Sequence, residues 1–137
     1  MSDLALDTSA AVAFLLRSHT AHSAARRHVG ARRPTLTGHS LAETYSVLTR
    51  LPGDARLAPL DAVTLIEANF GEAASLDQET AASIHSVLAP IGVAGGAVYD
   101  ALVALAARQA GLPLATRDRR AAATYSALLV QVELVTD

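Results

Sequence analysis

Apolar and polar positions follow two alternating periods along this chain. Short apolar runs, bounded by turn residues, are followed by longer stretches in which apolar residues recur every three or four positions. The first run, Leu4–Leu6 (LAL), reads as a short buried strand. Asp7-Thr8-Ser9 then reads as a turn and cap before the apolar helix SAAVAFLL. A second helix is predicted from Thr20 to Val29, ending near Gly30, and TLTG after Pro34 as a short strand. HSLAETYSVLTRL has helical spacing and is stopped by Pro52-Gly53. Pro59 opens the helix LDAVTLIEANF, ASL is a short strand candidate, and Asp77 caps the helix QETAASIHSVLA. Gly95-Gly96 precedes the long helix AVYDALVALAARQA, which Gly111 closes. LPLAT is a strand, Asp118 starts a last helix and VQVELV is a final strand.

Strands alternating with helices predict an α/β fold with three layers, a short, mostly parallel central sheet flanked by helices. Its 137 residues fit one domain, 1–137, with no linker or repeat. In such folds ligands gather at the carboxyl ends of strands. Asp7 follows LAL and Asp118 lies just beyond LPLAT, so topology can bring both acids to one rim.

Composition narrows the chemistry. The chain has no Cys, which excludes disulfides, thiolate metal sites and cysteine nucleophiles. The net charge of −2 makes any nucleic-acid contact a local matter, and all eleven basic residues are Arg. Aromatics, at 4%, argue against a broad base-stacking surface of the RNA-recognition or single-strand-binding kind. No apolar run reaches membrane-spanning length and the start lacks a basic region ahead of its apolar run, so a cytoplasmic protein is expected.

Four acids carry the candidate chemistry. Asp7 and Asp118 each precede a helix and are explained equally by capping. Asp100 is a lone acid on a helix that is apolar nearly all round, and it needs either the helix dipole or a cation. Glu43 falls just outside the apolar arc set by Leu41, Tyr45 and Leu48, near Val47, at about 100° per residue; taken alone it reads as a surface residue. Gathered at one rim, the four would repel one another, and protonation or a metal relieves that. Oxygen-only ligands suit Mg²⁺ or Mn²⁺.

The residues LALDTSAAVAFLL, SLAETYSVLTRLP and GGAVYDALVALAARQAGLPLATRDRRAAATY resemble the PIN-domain ribonucleases, in particular the VapC toxins of type II toxin–antitoxin pairs. The family's acidic quartet matches Asp7, Glu43, Asp100 and Asp118, and the match extends over nearly the whole chain. The resemblance implies a PIN fold and a metal-dependent endoribonuclease. In it those four acids are catalytic and hold Mg²⁺ or Mn²⁺, and an activated water attacks an RNA phosphodiester, in tRNA or rRNA. Ser9 and Thr116 match hydroxyl positions that support the acids. The resemblance also implies a homodimer and a cognate VapB-type antitoxin lying over the active site. The apolar helix SAAVAFLL and its neighbour read either as a docking groove for that partner or as core.

Arg117, Arg119 and Arg120 around Asp118 are candidate RNA-phosphate contacts or a solvated helix start. Ala25–Arg33 (ARRHVGARR) is a second basic cluster, and His39 lies one helical turn from Glu43. Rival enzyme classes fit less well. A haloacid-type phosphatase needs an acid at position 9, which is Ser; a receiver domain needs a Lys, and there is none. GGAVYD lacks dinucleotide-binding spacing. A catalytically inactive PIN-like RNA- or protein-binding module is the alternative.

Overall fold

The sheet is built from strands of three residues, and its two central strands are buried on both faces. In the computed structural model, which describes residues 1–137, β1 (Leu4–Leu6) is fully buried and pairs in parallel with β2 (Pro34–Leu36) on one side and β3 (Leu114–Thr116) on the other. β4 (Val132–Leu134) extends the sheet beyond β3, giving the order β2-β1-β3-β4, with every pairing parallel. Parallel neighbours require crossovers, and helices supply them.

Alternation along the strands divides the core. Leu4 and Leu6 point to one face and pack with helices α1 (Thr8–Leu15), α2 (His22–Val29), α3 (Gly38–Thr49) and α4 (Pro59–Asn69). Ala5 and Leu114 point to the other, against α6 (Ile84–Leu88), α7 (Ala97–Gln109) and α8 (Arg119–Ala127). The three layers follow from this period of two. Small buried residues, Ala10 and Ala11, let α1 lie close to the sheet, while Ala101 and Ala104 are buried on α7, which packs against α3 and α8.

Several elements differ from expectation. The helix expected over 78–89 is broken into α5 (Gln78–Ala82) and α6 at Ser83, whose hydroxyl donates to the Glu79 carbonyl at 2.9 Å. Such back-bonding competes with the helical ladder and bends it. ASL forms only a single bridge, Ala74 to Thr37. The second helix starts at His22 rather than Thr20, because the Ala21 amide donates to His19 Nδ1 and holds the chain in a turn. On α3 the buried stripe is Ser40, Thr44 and Leu48, not Leu41, Tyr45 and Leu48. Thr37 and Ser40 close a capping box, and Ser40 Oγ also donates to the Leu6 carbonyl at 3.1 Å. A satisfied hydroxyl can be buried as cheaply as an apolar group. Leu41 and Tyr45 line an outer groove instead.

The helix SAAVAFLL is core: Ala10, Ala11, Ala13, Phe14 and Leu15 are all buried. It offers no docking groove. The basic cluster at Ala25–Arg33 is largely committed within the molecule. His28 and Arg32 flank Glu133 at 2.7 and 3.0 Å, Arg33 pairs with Asp3, and Arg26 lies over the Phe14 ring. No helix is long and apolar enough to cross a membrane.

Candidate active site

The strand order reverses between β1 and β3, since β1 runs out to β2 on one side and meets β3 on the other. A crevice opens there, at the carboxyl ends of the strands. Asp7 and Thr116 sit side by side at that edge. The Asp7 amide continues the ladder by donating to the Ala115 carbonyl at 3.0 Å. The crevice is a cleft of about 450 Å³ lined by Asp7, Glu43, Asp100 and Asp118. Each acid comes from a different element: the end of β1, the middle of α3, the first turn of α7 and the loop after β3.

Asp7 is the buried one, at 4% exposure. Its Oδ1 accepts from the Ala10 amide at 3.0 Å and from Ser9 Oγ at 2.7 Å. Its Oδ2 accepts from Thr116 Oγ1 and from the Tyr125 hydroxyl, the latter at 2.9 Å. It therefore caps α1, and it does more than cap. Ser9 Oγ also accepts from the Arg117 amide at 2.9 Å, and Thr116 Oγ1 from the Asp118 amide at 3.0 Å. The two hydroxyls thus tie the acid to the loop that carries Asp118. Burial pushes the Asp7 carboxyl up from its ordinary value, and these donors only partly offset that. Three of the four donors are hydroxyls, which can turn away if another positive group takes their place.

Asp118 caps α8: its Oδ1 accepts from the Arg120 and Ala121 amides at 2.9 and 3.2 Å. Glu43 accepts from Thr8 Oγ1 at 3.2 Å, and His39 Nε2 lies 3.1 Å from the same oxygen. Asp100 is half-buried, and its carboxyl is also raised. Desolvation is the main cause, followed by the charges of Asp118, Asp7 and Glu43, while His39 opposes them. Asp7, Asp100 and Asp118 have no ion-pair partner; Arg117, in the same cleft, pairs with Asp137 at 3.9 Å. No three His, Asp or Glu side chains are gathered tightly enough to enclose an ion. The donor set is nonetheless all oxygen and mutually repelling, with His39 beside Glu43 as its one close basic neighbour, and it fits a divalent cation of the Mg²⁺ or Mn²⁺ type.

Of the three arginines around Asp118, only Arg117 lines the cleft; Arg119 and Arg120 are exposed outside it. Sequence reading missed Tyr125, His19, Arg50 and Thr8. Two of these carried a signal. Asp118, Ala121 and Tyr125 form one stripe of α8 and its cap, and Glu43, Val47 and Arg50 form one stripe of α3, each at spacings that return to the same face. His19 contributes from the loop after α1, with its Nδ1 held by the Ala21 amide.

Tyr125 yields a direct prediction. Its hydroxyl is buried beside an acid, which raises its pKa and keeps it a donor. Tyr125→Phe removes one donor from the Asp7 carboxylate. A hydrogen bond to a charged group contributes about 1.5–3 kcal/mol. The acid limb of any Asp7-dependent profile is therefore expected to move up by about one to two pH units. Titration of the Asp7 carboxyl by carbon NMR in both proteins reads this; an unmoved titration would show that the phenol is packing only.

Residues 4–126 match the family model described as PIN domain. The chain is 52% identical over 129 residues to Ribonuclease VapC27 of Mycobacterium tuberculosis, covering 94% of each chain. Among solved structures it is similar to M. tuberculosis VapC20, a sarcin–ricin loop cleaving toxin. That match has a TM-score of 0.66 at 18% identity, over 88% of this chain and 94% of that one. It is also similar to VapBC-5 of M. tuberculosis, a member of the VapBC family of toxin–antitoxin systems. The TM-score there is 0.56 at 21% identity, over the whole of both chains.

Proposed function

The chain belongs to the PIN-domain family, and from that premise we propose that it is an endoribonuclease toxin, hydrolysing RNA phosphodiester bonds with a divalent cation. The observation that carries this is the cleft at the strand ends, lined by four carboxylates from four elements, of which Asp7, Asp100 and Asp118 have no ion-pair partner. The relative VapC27, a ribonuclease at 52% identity, supports the reaction. The proposal takes residues 1–137 as one domain acting in the cytoplasm as a homodimer, with a VapB-type antitoxin as partner and tRNA or rRNA as substrate. The likeness to VapBC-5 supports the antitoxin.

Asp7, Glu43, Asp100 and Asp118 would hold Mg²⁺ or Mn²⁺. A divalent cation so held lowers the pKa of water and neutralises charge developing at a phosphate. The protein's own groups do the rest. Ser9, Thr116 and Tyr125 hold both oxygens of Asp7 by hydrogen bonds and so would orient its carboxylate toward a cation. Arg50 and Arg117 line the same cleft and bind phosphate oxygens of the RNA strand. Val12, Val47 and Val103 form the apolar part of the lining, and of the four acids only Asp7 is buried away from water.

The test is cleavage of total tRNA and rRNA by the purified chain. Cleavage is expected with Mn²⁺ or Mg²⁺ and none with EDTA, and Glu43→Gln and Asp100→Asn should each be inactive. Cleavage that persists in EDTA would remove the metal from the mechanism. The absence of cleavage on any RNA in Mn²⁺, with the fold intact, would favour the inactive binding module.

A further inference from the structure

We propose that Tyr99, backed by His39, is the stacking seat for one nucleobase of a single-stranded RNA whose phosphate lies at the acid cleft. The inference rests on the nuclease reading for the location of the phosphate. It adds a contact to the base, which nothing in the acid cluster supplies.

Four observations carry it. Tyr99 is 57% exposed, although it belongs to a helix otherwise rich in buried residues. The other rings are placed differently. Tyr125 and Phe14 are buried, and Tyr45 and Phe70 line the outer groove formed with α4. Tyr99 is thus the exposed aromatic beside the acids. Secondly, its ring is held. The His39 imidazole stacks on it with centroids 5.3 Å apart and planes 14° from parallel. His39 lies offset against one face, and the remaining ring surface accounts for the exposure. Thirdly, the stack is anchored to the site. His39 Nε2 lies 3.1 Å from Glu43 Oε1, and Tyr99 is followed directly by Asp100, which lines the cleft. Lastly, α3 follows β2 and α7 precedes β3, so the N-terminal turns of both helices, which carry His39 and Tyr99, lie at the strand-end rim.

A ring steadied by an offset stack and still more than half exposed suits the π-face of a base, and it does so without regard to base identity. Water-exposed aromatics cost the free protein little, and orienting the ring in advance spares entropy on binding. The low aromatic content of the chain excludes a broad stacking sheet, but it leaves room for one seat.

The test uses a fluorescein-labelled single-stranded RNA decamer and ten variants, each with one abasic nucleotide. Affinity is read by anisotropy with Ca²⁺ as the divalent ion. Wild type is expected to lose affinity at one abasic position. Tyr99→Leu should weaken binding of the intact decamer about five- to a hundredfold and should show no further loss at that position. Tyr99→Phe should behave as wild type. Thermal melts of all three proteins should coincide, since the side chain is exposed. Equal affinity of wild type and Tyr99→Leu would overturn the proposal, as would an abasic profile unchanged by Tyr99→Leu. So would unchanged RNA binding alongside loss of self-association, which would assign the ring to a protein contact. Cleavage by wild type is scored separately in Mn²⁺. Its failure would count against the nuclease reading, while the anisotropy still judges the stacking seat.

Discussion

Asp7→Asn is expected to lower RNA cleavage about a thousandfold or more while leaving the metal-free protein at least as stable as wild type near neutral pH. The two effects have one cause. A carboxylate at 4% exposure has lost most of its water, and its raised pKa records that cost. The cost is carried at every pH at which the folded Asp7 is ionised. Asn keeps the shape and keeps an oxygen for the Ala10 amide and Ser9 Oγ, so the cap of α1 survives. Its amide nitrogen would then face Thr116 and Tyr125, whose hydroxyls can turn to accept. The charge disappears, and with it the attraction for a divalent cation, which supplies several kcal/mol of transition-state stabilisation; about 4 kcal/mol corresponds to a thousandfold. Initial rates in Mn²⁺ and urea unfolding in EDTA at pH 7.5 read the two halves. Cleavage within tenfold of wild type would remove Asp7 from the mechanism. A variant clearly less stable than wild type would mean that the charged cap stabilises the fold for its own sake.

That pairing explains why Asp7 could be located but not interpreted from its neighbours in the sequence. LALDTS shows a strand, a turn and an acid at the strand end, and a cap accounts for all of it. The distinction lies in Thr116 and Tyr125, more than a hundred residues away, which fill the second oxygen. The order of strands and helices was legible because β1 is an unbroken apolar run, β2, β3 and β4 each carry a single polar residue, and Gly or Pro stops several of the helices. Glu43 was legible as lying outside the apolar arc, but the arc itself was misplaced. Ser40 is buried because Thr37 and the Leu6 carbonyl satisfy its hydroxyl, the second from another element that no local pattern announces, whereas Thr44 is buried with its hydroxyl unpaired. The break at Ser83 was hidden for a similar reason, since a hydroxyl in a helix can face solvent or bond backwards. The arginines show the limit of reading by proximity in sequence. Arg117, Arg119 and Arg120 are neighbours in the chain, but the start of α8 turns only Arg117 into the cleft, where Arg50 from α3 joins it.

Binding of Mn²⁺ or Mg²⁺ is expected to stabilise the folded chain strongly at pH 7.5 and progressively less as pH falls through the range in which Asp7 and Asp100 take up protons. At a hundredfold excess over Kd the gain is about 2.7 kcal/mol, or roughly 10 °C in Tm for a chain of this size. The pH dependence comes from Asp7 and Asp100, both shifted up from 3.8 in the folded state. Between 3.8 and those raised values the folded protein holds protons that the unfolded chain has released. The slope of stability with pH is therefore negative for these two groups, and metal-free stability falls as pH rises through that window. A cation needs the ionised forms, so its affinity rises through the same window and levels off above it. The two trends oppose one another, which separates them from any general effect of pH. Carboxylates that are lowered by their partners, such as Glu133 beside Arg32 and His28, act in the other direction, below 4.5. Asp100→Asn should flatten both curves, since it removes one raised group and one ligand together. The comparison is made by thermal melts from pH 4.5 to 8, with and without Mn²⁺. A Mn²⁺ increment that is the same at both ends of the range, or the same in Asp100→Asn as in wild type, would show that the ion binds somewhere other than the four acids.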